Sequence, residues 1–202
     1  MGRAKATLPL DATDTFLTRI VRTFLDAGVD DVVVVVGHEA DAIVSSFAAS
    51  GLPARFVVNH DYDRGQWSSL VAGLGVVDRP GVSATLITLV DVPLVTSDTV
   101  RAVLACYRRT HAPVVRPTAA SRHGHPLLVD RSLFAELRAA DPAEGAKPVI
   151  RAHATAAGDI AIADEGAFRD IDTEEDYLDY LRMISDRSSG GAGSPRQSRE
   201  KV

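Results

Sequence analysis

Apolar and polar positions along this chain change their period several times, and each change marks an element. Phe16, Leu17, Ile20, Val21, Phe24 and Leu25 recur at helical spacing, which predicts a helix capped by Thr13 or Asp14 and stopped by Gly28. Five consecutive valines, Val32 to Val36, then read as a buried strand that ends at Gly37-His38. Ala40 to Ala48 returns to a helical pattern, with Ile43, Val44 and Phe47 on one side, and Ala54 to Val58 is a further strand. A short helix is expected over Leu70 to Leu74, capped by Ser68 or Ser69. Ala84 to Val95 is apolar and β-branched without strict alternation, the pattern of a strand covered on both faces. It carries one carboxylate, Asp91, followed by Pro93, which lacks the N–H that further pairing needs. Thr96 begins another amphipathic helix through Tyr107, with Val100, Val103 and Leu104 inward.

Strand and helix alternate to this point, which predicts a mostly parallel sheet with helices on both faces. The second half differs. Val114 to Pro117 and Pro126 to Val129 are short apolar pieces around a polar stretch, read as a hairpin or a small antiparallel insertion. Helices are expected at Arg131 to Ala139 and Lys147 to Ala152, and a last strand at Ile160 to Ala163. Thr173 caps a final helix whose first turn holds Glu174, Glu175 and Asp176, and which ends near Ile184. Residues 185–202 are Ser, Gly, Arg and Lys with hardly an apolar side chain, so one domain over 1–184 and a disordered tail are expected.

Composition narrows the function classes. The 202 residues are 46% hydrophobic and hold 27 acidic against 22 basic residues, net −5, with no basic stripe of the kind that binds nucleic acid. The one cysteine, Cys106, lies in a helical pattern and reads as a buried thiol. No apolar run approaches the roughly 18 residues needed to span a bilayer, and no leader-type sequence opens the chain, so a cytoplasmic protein is the expectation.

The candidate chemistry lies in carboxylates. Ligands of open α/β sheets bind beyond the carboxyl ends of the strands, so Asp91 reads either as a ligand-facing acid or as a turn cap. Asp170 and Asp172 are spaced so that both can face one side of an extended segment; capping of the final helix explains Asp172 nearly as well. Brought near Asp91, they would form an oxygen-ligand set suited to Mg²⁺ holding phosphates. Arg3 and Lys5, beside Gly2, could neutralise phosphates, or belong to a solvated N-terminal tail. His123 and His125 lack the third ligand a zinc site requires.

Four stretches together resemble the MobA-like nucleotidyltransferase family, most of all its molybdenum cofactor cytidylyltransferase branch: Met1-Gly-Arg-Ala-Lys-Ala-Thr-Leu-Pro-Leu10, Val90-Asp-Val-Pro-Leu, Gly124-His-Pro-Leu-Leu and Asp170-Ile-Asp-Thr-Glu-Glu-Asp. The segment Asn59 to Leu74 is similar to the family's region around the third strand and its helix. The resemblance implies a Rossmann-like three-layer α/β/α sandwich. It also implies transfer of a nucleoside monophosphate from CTP, with GTP as the second choice, to the phosphate of a molybdopterin-type acceptor. Asp91 would hold Mg²⁺ with Asp170 or Asp172, and Lys5, Gly2 and Arg3 would meet the triphosphate. Asn59, Ser68, Ser69 and His125 would line the ligand site, and a molybdoenzyme or its chaperone would be a further partner. The family places a strand and a Gly-rich loop ahead of the residue corresponding to Met1. A start codon set too late is the expectation drawn from this; a nucleotide-binding or partner-binding domain that no longer catalyses is the alternative, as is transfer to a sugar phosphate or another phosphorylated alcohol.

Overall fold

The structure, a computed structural model, describes residues 4–189, in two units that divide between Asp170 and Ile171. The first unit runs α1 (Phe16–Asp26), β1 (Val33–Val36), α2 (Ala40–Ala48), β2 (Arg55–Val58), α3 (Gln66–Val77), β3 (Ala84–Ile87) and α4 (Ser97–Thr110). It continues through β4 (Val114–Ala119), β5 (Arg122–His123), β6 (Leu127–Asp130), α5 (Phe134–Ala139), α6 (Lys147–His153) and β7 (Asp159–Ala161). The second unit holds α7 (Glu174–Ser189).

Side-chain alternation along the strands builds three layers within the first unit. In β6, Leu128 packs towards Val103 and Cys106 of α4, while Leu127 and Val129 join Leu74, Phe134 and Ile150 on the opposite face. β4 divides the same way, Val115 towards α4 and Val114 towards Phe134 and Leu137. In the other sheet Val34 and Val36 meet Leu17, Val21, Ile43 and Phe47 of α1 and α2. α1, α2 and α4 thus cover one face, and α3, α5 and α6 the other. This is the α/β/α sandwich that the alternation and the resemblance implied.

The strands form two sheets. β1 and β2 are a parallel pair, with Val33 opposite Arg55 and Val36 opposite Val58. The second sheet is mixed: β6 lies antiparallel between β3 and β4, β5 pairs antiparallel with β4, and β7 runs parallel to β4. Antiparallel pairing is therefore more extensive than expected and reaches β3, because the chain folds back after β5 and inserts β6 beside it. Among the described residues, β1 and β3 each have one edge with no strand on it. That explains a second difference: Val33 to Val35 and all of β3 are only partly buried, although both segments read as fully covered strands.

Several boundaries shift for local reasons. β3 stops at Ile87, well short of Val95, because the next position of β6 is Pro126, which has no N–H to extend the ladder. α1 is capped by Thr15 rather than Thr13 or Asp14, through a reciprocal box in which Thr15 N–H donates to Thr18 Oγ1 at 2.8 Å and Thr18 N–H to Thr15 Oγ1 at 3.2 Å. Gly28, at φ +87°, stops α1 as expected. α3 begins at Gln66, so Ser68 and Ser69 sit inside its first turn and are not caps. Gly73, inside this helix, faces β1 closely: a Cβ there would come within 3.2 Å of Val35. In the second unit Thr173 and Asp176 cap α7 reciprocally, as expected, but the helix runs to Ser189. The rest of the expected tail, 190–202, lies outside the described residues.

Candidate functional site

Asp91 lies on an irregular segment between β3 and α4. Two fully buried valines, Val92 and Val95, root the segment in the core, and Val92 N–H closes a turn onto Leu89 C=O at 3.2 Å. This leaves the Asp91 carboxylate partly buried at the end of β3, with Oδ1 shielded from solvent. Thr88 Oγ1, three residues earlier, is shielded as well and has no hydrogen-bond partner among the described residues. An unpartnered buried hydroxyl such as that of Thr88 calls for an explanation, and a bound water, ion or ligand is one.

The turn before β6 reaches the same strand end. His125 N–H donates to Ala167 C=O at 2.8 Å, and its Nδ1 lies 3.4 Å from Ile87 C=O, a carbonyl that accepts when this nitrogen carries the proton. Gly124 allows this approach, since a Cβ there would fall 2.4 Å from Ala167 C=O. His125 and the Asp91 segment therefore both lie beyond the end of β3.

Asn59, Ser68 and Ser69 meet at the carboxyl end of the parallel pair. Asn59 N–H donates to Val36 C=O at 2.7 Å, and its buried side-chain amide donates to Ser68 Oγ at 2.9 Å and Ser69 Oγ at 3.0 Å. Its Oδ1 accepts from Asp61 N–H at 3.0 Å. Ser68 is consumed in turn by Asp61 C=O at 2.8 Å and Gly65 C=O at 2.7 Å. Asn59 and Ser68 thus fasten the loop to α3, and the Ser69 hydroxyl keeps its hydrogen for a further acceptor.

Lys5 does not sit in a solvated tail. It lies on a short 3₁₀ turn, Lys5–Thr7, whose neighbours Ala4 and Ala6 pack against α1, α2 and β1. Leu8 and Leu10 are buried, and Phe16 N–H donates to Leu8 C=O at 3.0 Å. Gly2 and Arg3 lie outside the described residues.

The two later acids fall in different units. Asp170 is exposed at the end of the first unit, while Asp172 belongs to the second, where its N–H donates to Asp176 Oδ2 at 3.3 Å. Among the described residues no three of His, Cys, Asp and Glu converge to hold a metal. One carboxylate with a shielded oxygen nevertheless fits Mg²⁺, which is commonly held by one or two carboxylates together with the substrate's phosphates.

The perturbed acids lie elsewhere and are structural. Burial pushes the Asp14 carboxyl up, but hydrogen bonds from Arg22, Arg19 and Thr18 outweigh it and hold the group below the ordinary carboxylate range. Hydrogen bonding from Arg55 lowers Asp31, helped by Arg79. Burial, with Asp130 at 2.5 Å, pushes the Tyr107 hydroxyl up to about 12. Cys106 is buried as expected. No described helix is long and apolar enough to cross a membrane.

The profile of the MobA-like NTP transferase domain matches residues 1–157. The chain is 31% identical over 194 residues to the nicotine blue oxidoreductase of Paenarthrobacter nicotinovorans, covering 90% of each. Among solved structures it is similar to Rv0371c of Mycobacterium tuberculosis H37Rv, at 25% identity with 90% of both chains covered and a TM-score of 0.74. A manganese complex of that same protein matches with a TM-score of 0.70, at 25% identity over 90% of this chain and 93% of the other. Molybdopterin-guanine dinucleotide biosynthesis protein A of Archaeoglobus fulgidus shares the fold, at 14% identity, 92% coverage of each chain and a TM-score of 0.62. With the three layers and the matched profile in agreement, the chain belongs to the MobA-like NTP transferase family, a nucleotidyltransferase family.

Proposed function

We propose that this chain transfers a nucleoside monophosphate, CMP before GMP, from a nucleoside triphosphate to the phosphate of a molybdopterin-type acceptor in the cytoplasm. The observation that carries the reading is the Asp91 carboxylate, its Oδ1 shielded from solvent, at the end of a strand in a matched NTP transferase domain. An acceptor phosphate oxygen attacks the α-phosphorus, the bond from that phosphorus to the bridging oxygen breaks, and pyrophosphate leaves. Such a transfer needs alignment and charge neutralisation more than a covalent nucleophile. Asp91, with Asp170 or Asp172, would hold Mg²⁺, which supplies positive charge to the phosphate oxygens when bound. The manganese complex of a relative at 25% identity supports a divalent ion in this role. Lys5, with Gly2 and Arg3, would face the triphosphate; Ser69 and His125 would face the ligands, Asn59 and Ser68 acting by holding Ser69 in place.

The named activity of the Paenarthrobacter relative favours a second reading, oxidoreduction of nicotine blue or a related compound on the same scaffold. Pyrophosphate release with CTP, GTP, ATP and UTP, Mg²⁺ and either molybdopterin or a sugar phosphate separates the readings. Release that requires molybdopterin and is fastest with CTP is expected. No release with any pair, together with bleaching of nicotine blue under a two-electron reductant, would overturn the first reading in favour of the second.

A further inference from the structure

The segment that carries Asp91 has no ladder or helix to hold it, so its position depends on contacts made at its two ends. At the first end His125 lies against Ile87 C=O. At the second, a single carboxylate gathers the chain. Asp164 Oδ2 accepts from Thr96 N–H at 2.9 Å, Thr96 Oγ1 at 2.8 Å and Thr99 Oγ1 at 2.7 Å, while its Oδ1 accepts from Gly166 N–H at 3.0 Å. Thr96 is the residue on which α4 starts, its Oγ1 accepting from Thr99 N–H at 3.3 Å. Asp164 thus bonds the exit of the Asp91 segment and the cap of the next helix together.

The same loop presses on the segment directly. Gly166 sits so close that a Cβ would fall 2.1 Å from Leu94 C=O. The next residue, Ala167, is the acceptor for His125 N–H. A closed circuit results, from the end of β3 through the Asp91 segment to Asp164, along residues 165–168 to Gly124 and His125, and back to Ile87. Thr99 and Ala167 are buried within it.

We infer that Asp164 is a positioning residue for Asp91, fixing the carboxylate for a metal-bound triphosphate. The inference rests on the reading of Asp91 given above. Charged hydrogen bonds are short and directional, and three donors on one oxygen leave the segment little freedom. Removing the charge while keeping the shape weakens all of these bonds at once. Partners bonded directly to a metal ligand typically change metal affinity by about 10–100-fold when lost, and Asp164, acting one step further out through the chain, is expected at the lower end of that range.

The test is Mn²⁺ binding in the presence of CTP, followed by electron paramagnetic resonance. It uses the wild type, Asp91→Asn, Asp164→Asn and the double variant, with melting temperatures recorded for each. Asp164→Asn should weaken Mn²⁺ binding by about tenfold in protein shown to be folded. In the double variant it should add nothing to the loss caused by Asp91→Asn. Asp164→Glu, which keeps the acceptor charge, should recover part of the affinity, and Asp31→Asn, in an ion pair outside this circuit, should change nothing. A lowered melting temperature with wild-type Mn²⁺ affinity in Asp164→Asn would make Asp164 merely structural and overturn the inference. An unchanged affinity in Asp91→Asn would overturn the reading of Asp91 itself, whatever Asp164 does.

Discussion

The parallel pair β1–β2 and the mixed sheet around β6 are made of similar apolar residues but are buried to different extents. β6 has a strand on each side, and Leu128 and Val129 are completely buried between two layers of helices. β1 has one neighbour, and three of its four valines stay partly exposed. Ion pairs fasten both regions: in the mixed sheet Arg116 of β4 binds Asp159 of β7, and Arg131 and Arg138 converge on Asp78. Around the pair, Asp14 binds Arg19 and Arg22 across the first turns of α1, Arg19 also reaches Asp11, and Asp31 ties Arg55 of β2 to Arg79 beyond α3. The difference teaches that apolar composition alone does not decide burial: a strand is covered only as far as its neighbours allow.

The sharpest way to break this comparison is to make the same cavity in each region. Phe134→Ala, in the core beside β6, should cost about 3–5 kcal/mol and lower the global unfolding midpoint in urea. Phe47→Ala, in α2 over the parallel pair, should cost less, about 2–3 kcal/mol, because surroundings with an open edge can collapse around the space. Its loss should appear first as faster amide exchange in Val33 to Val36, with Leu127 to Asp130 unaffected. Equal losses, with exchange rising equally in both sheets, would show that the two regions unfold as one unit held by one core.

A smaller effect sharpens the polar side of the comparison. Asp14→Asn should cost about 2 kcal/mol at pH 7, the range for hydrogen bonds to charged groups. The folded carboxyl is held below its ordinary range, so its contribution is fully present above the unfolded pKa of about 3.9 and is lost as pH falls through the lower folded value. Urea unfolding of wild type and variant should therefore differ most near neutrality and converge in acid. A gap that is constant with pH would mean that Asp14 acts by shape and not by charge.

Much of this arrangement was legible in the order of residues. The helical stripe from Phe16 to Leu25, the valine run and the Thr173 cap lie where local physics puts them, since each depends on neighbours a few positions away. The Asp91 segment shows where that stops. Its apolar residues read as one long strand, but the ladder ends where Pro126, distant in sequence, fails to donate, and buried Val92 and Val95 belong to a turn instead. Ser68 and Ser69 read as caps because they are good cap residues, but the helix starts earlier at Gln66 and Ser68 turns its hydroxyl back to Gly65 C=O. Asp164 had no signal of its own: its partners Thr96 and Thr99 lie 68 and 65 positions earlier. An Asp-Glu-Gly sequence announces a turn, but not what the turn holds.

The central claim concerns Asp91, and one substitution tests it most directly. Asp91→Asn keeps the size of a side chain on a segment rooted by Val92 and Val95, so melting temperature and amide exchange should match the wild type. Pyrophosphate release from CTP with Mg²⁺ and molybdopterin should fall by at least about 100-fold, the scale seen when a group that stabilises transition-state charge is removed. Wild-type release from folded Asp91→Asn protein would contradict the account and remove Asp91 from the reaction.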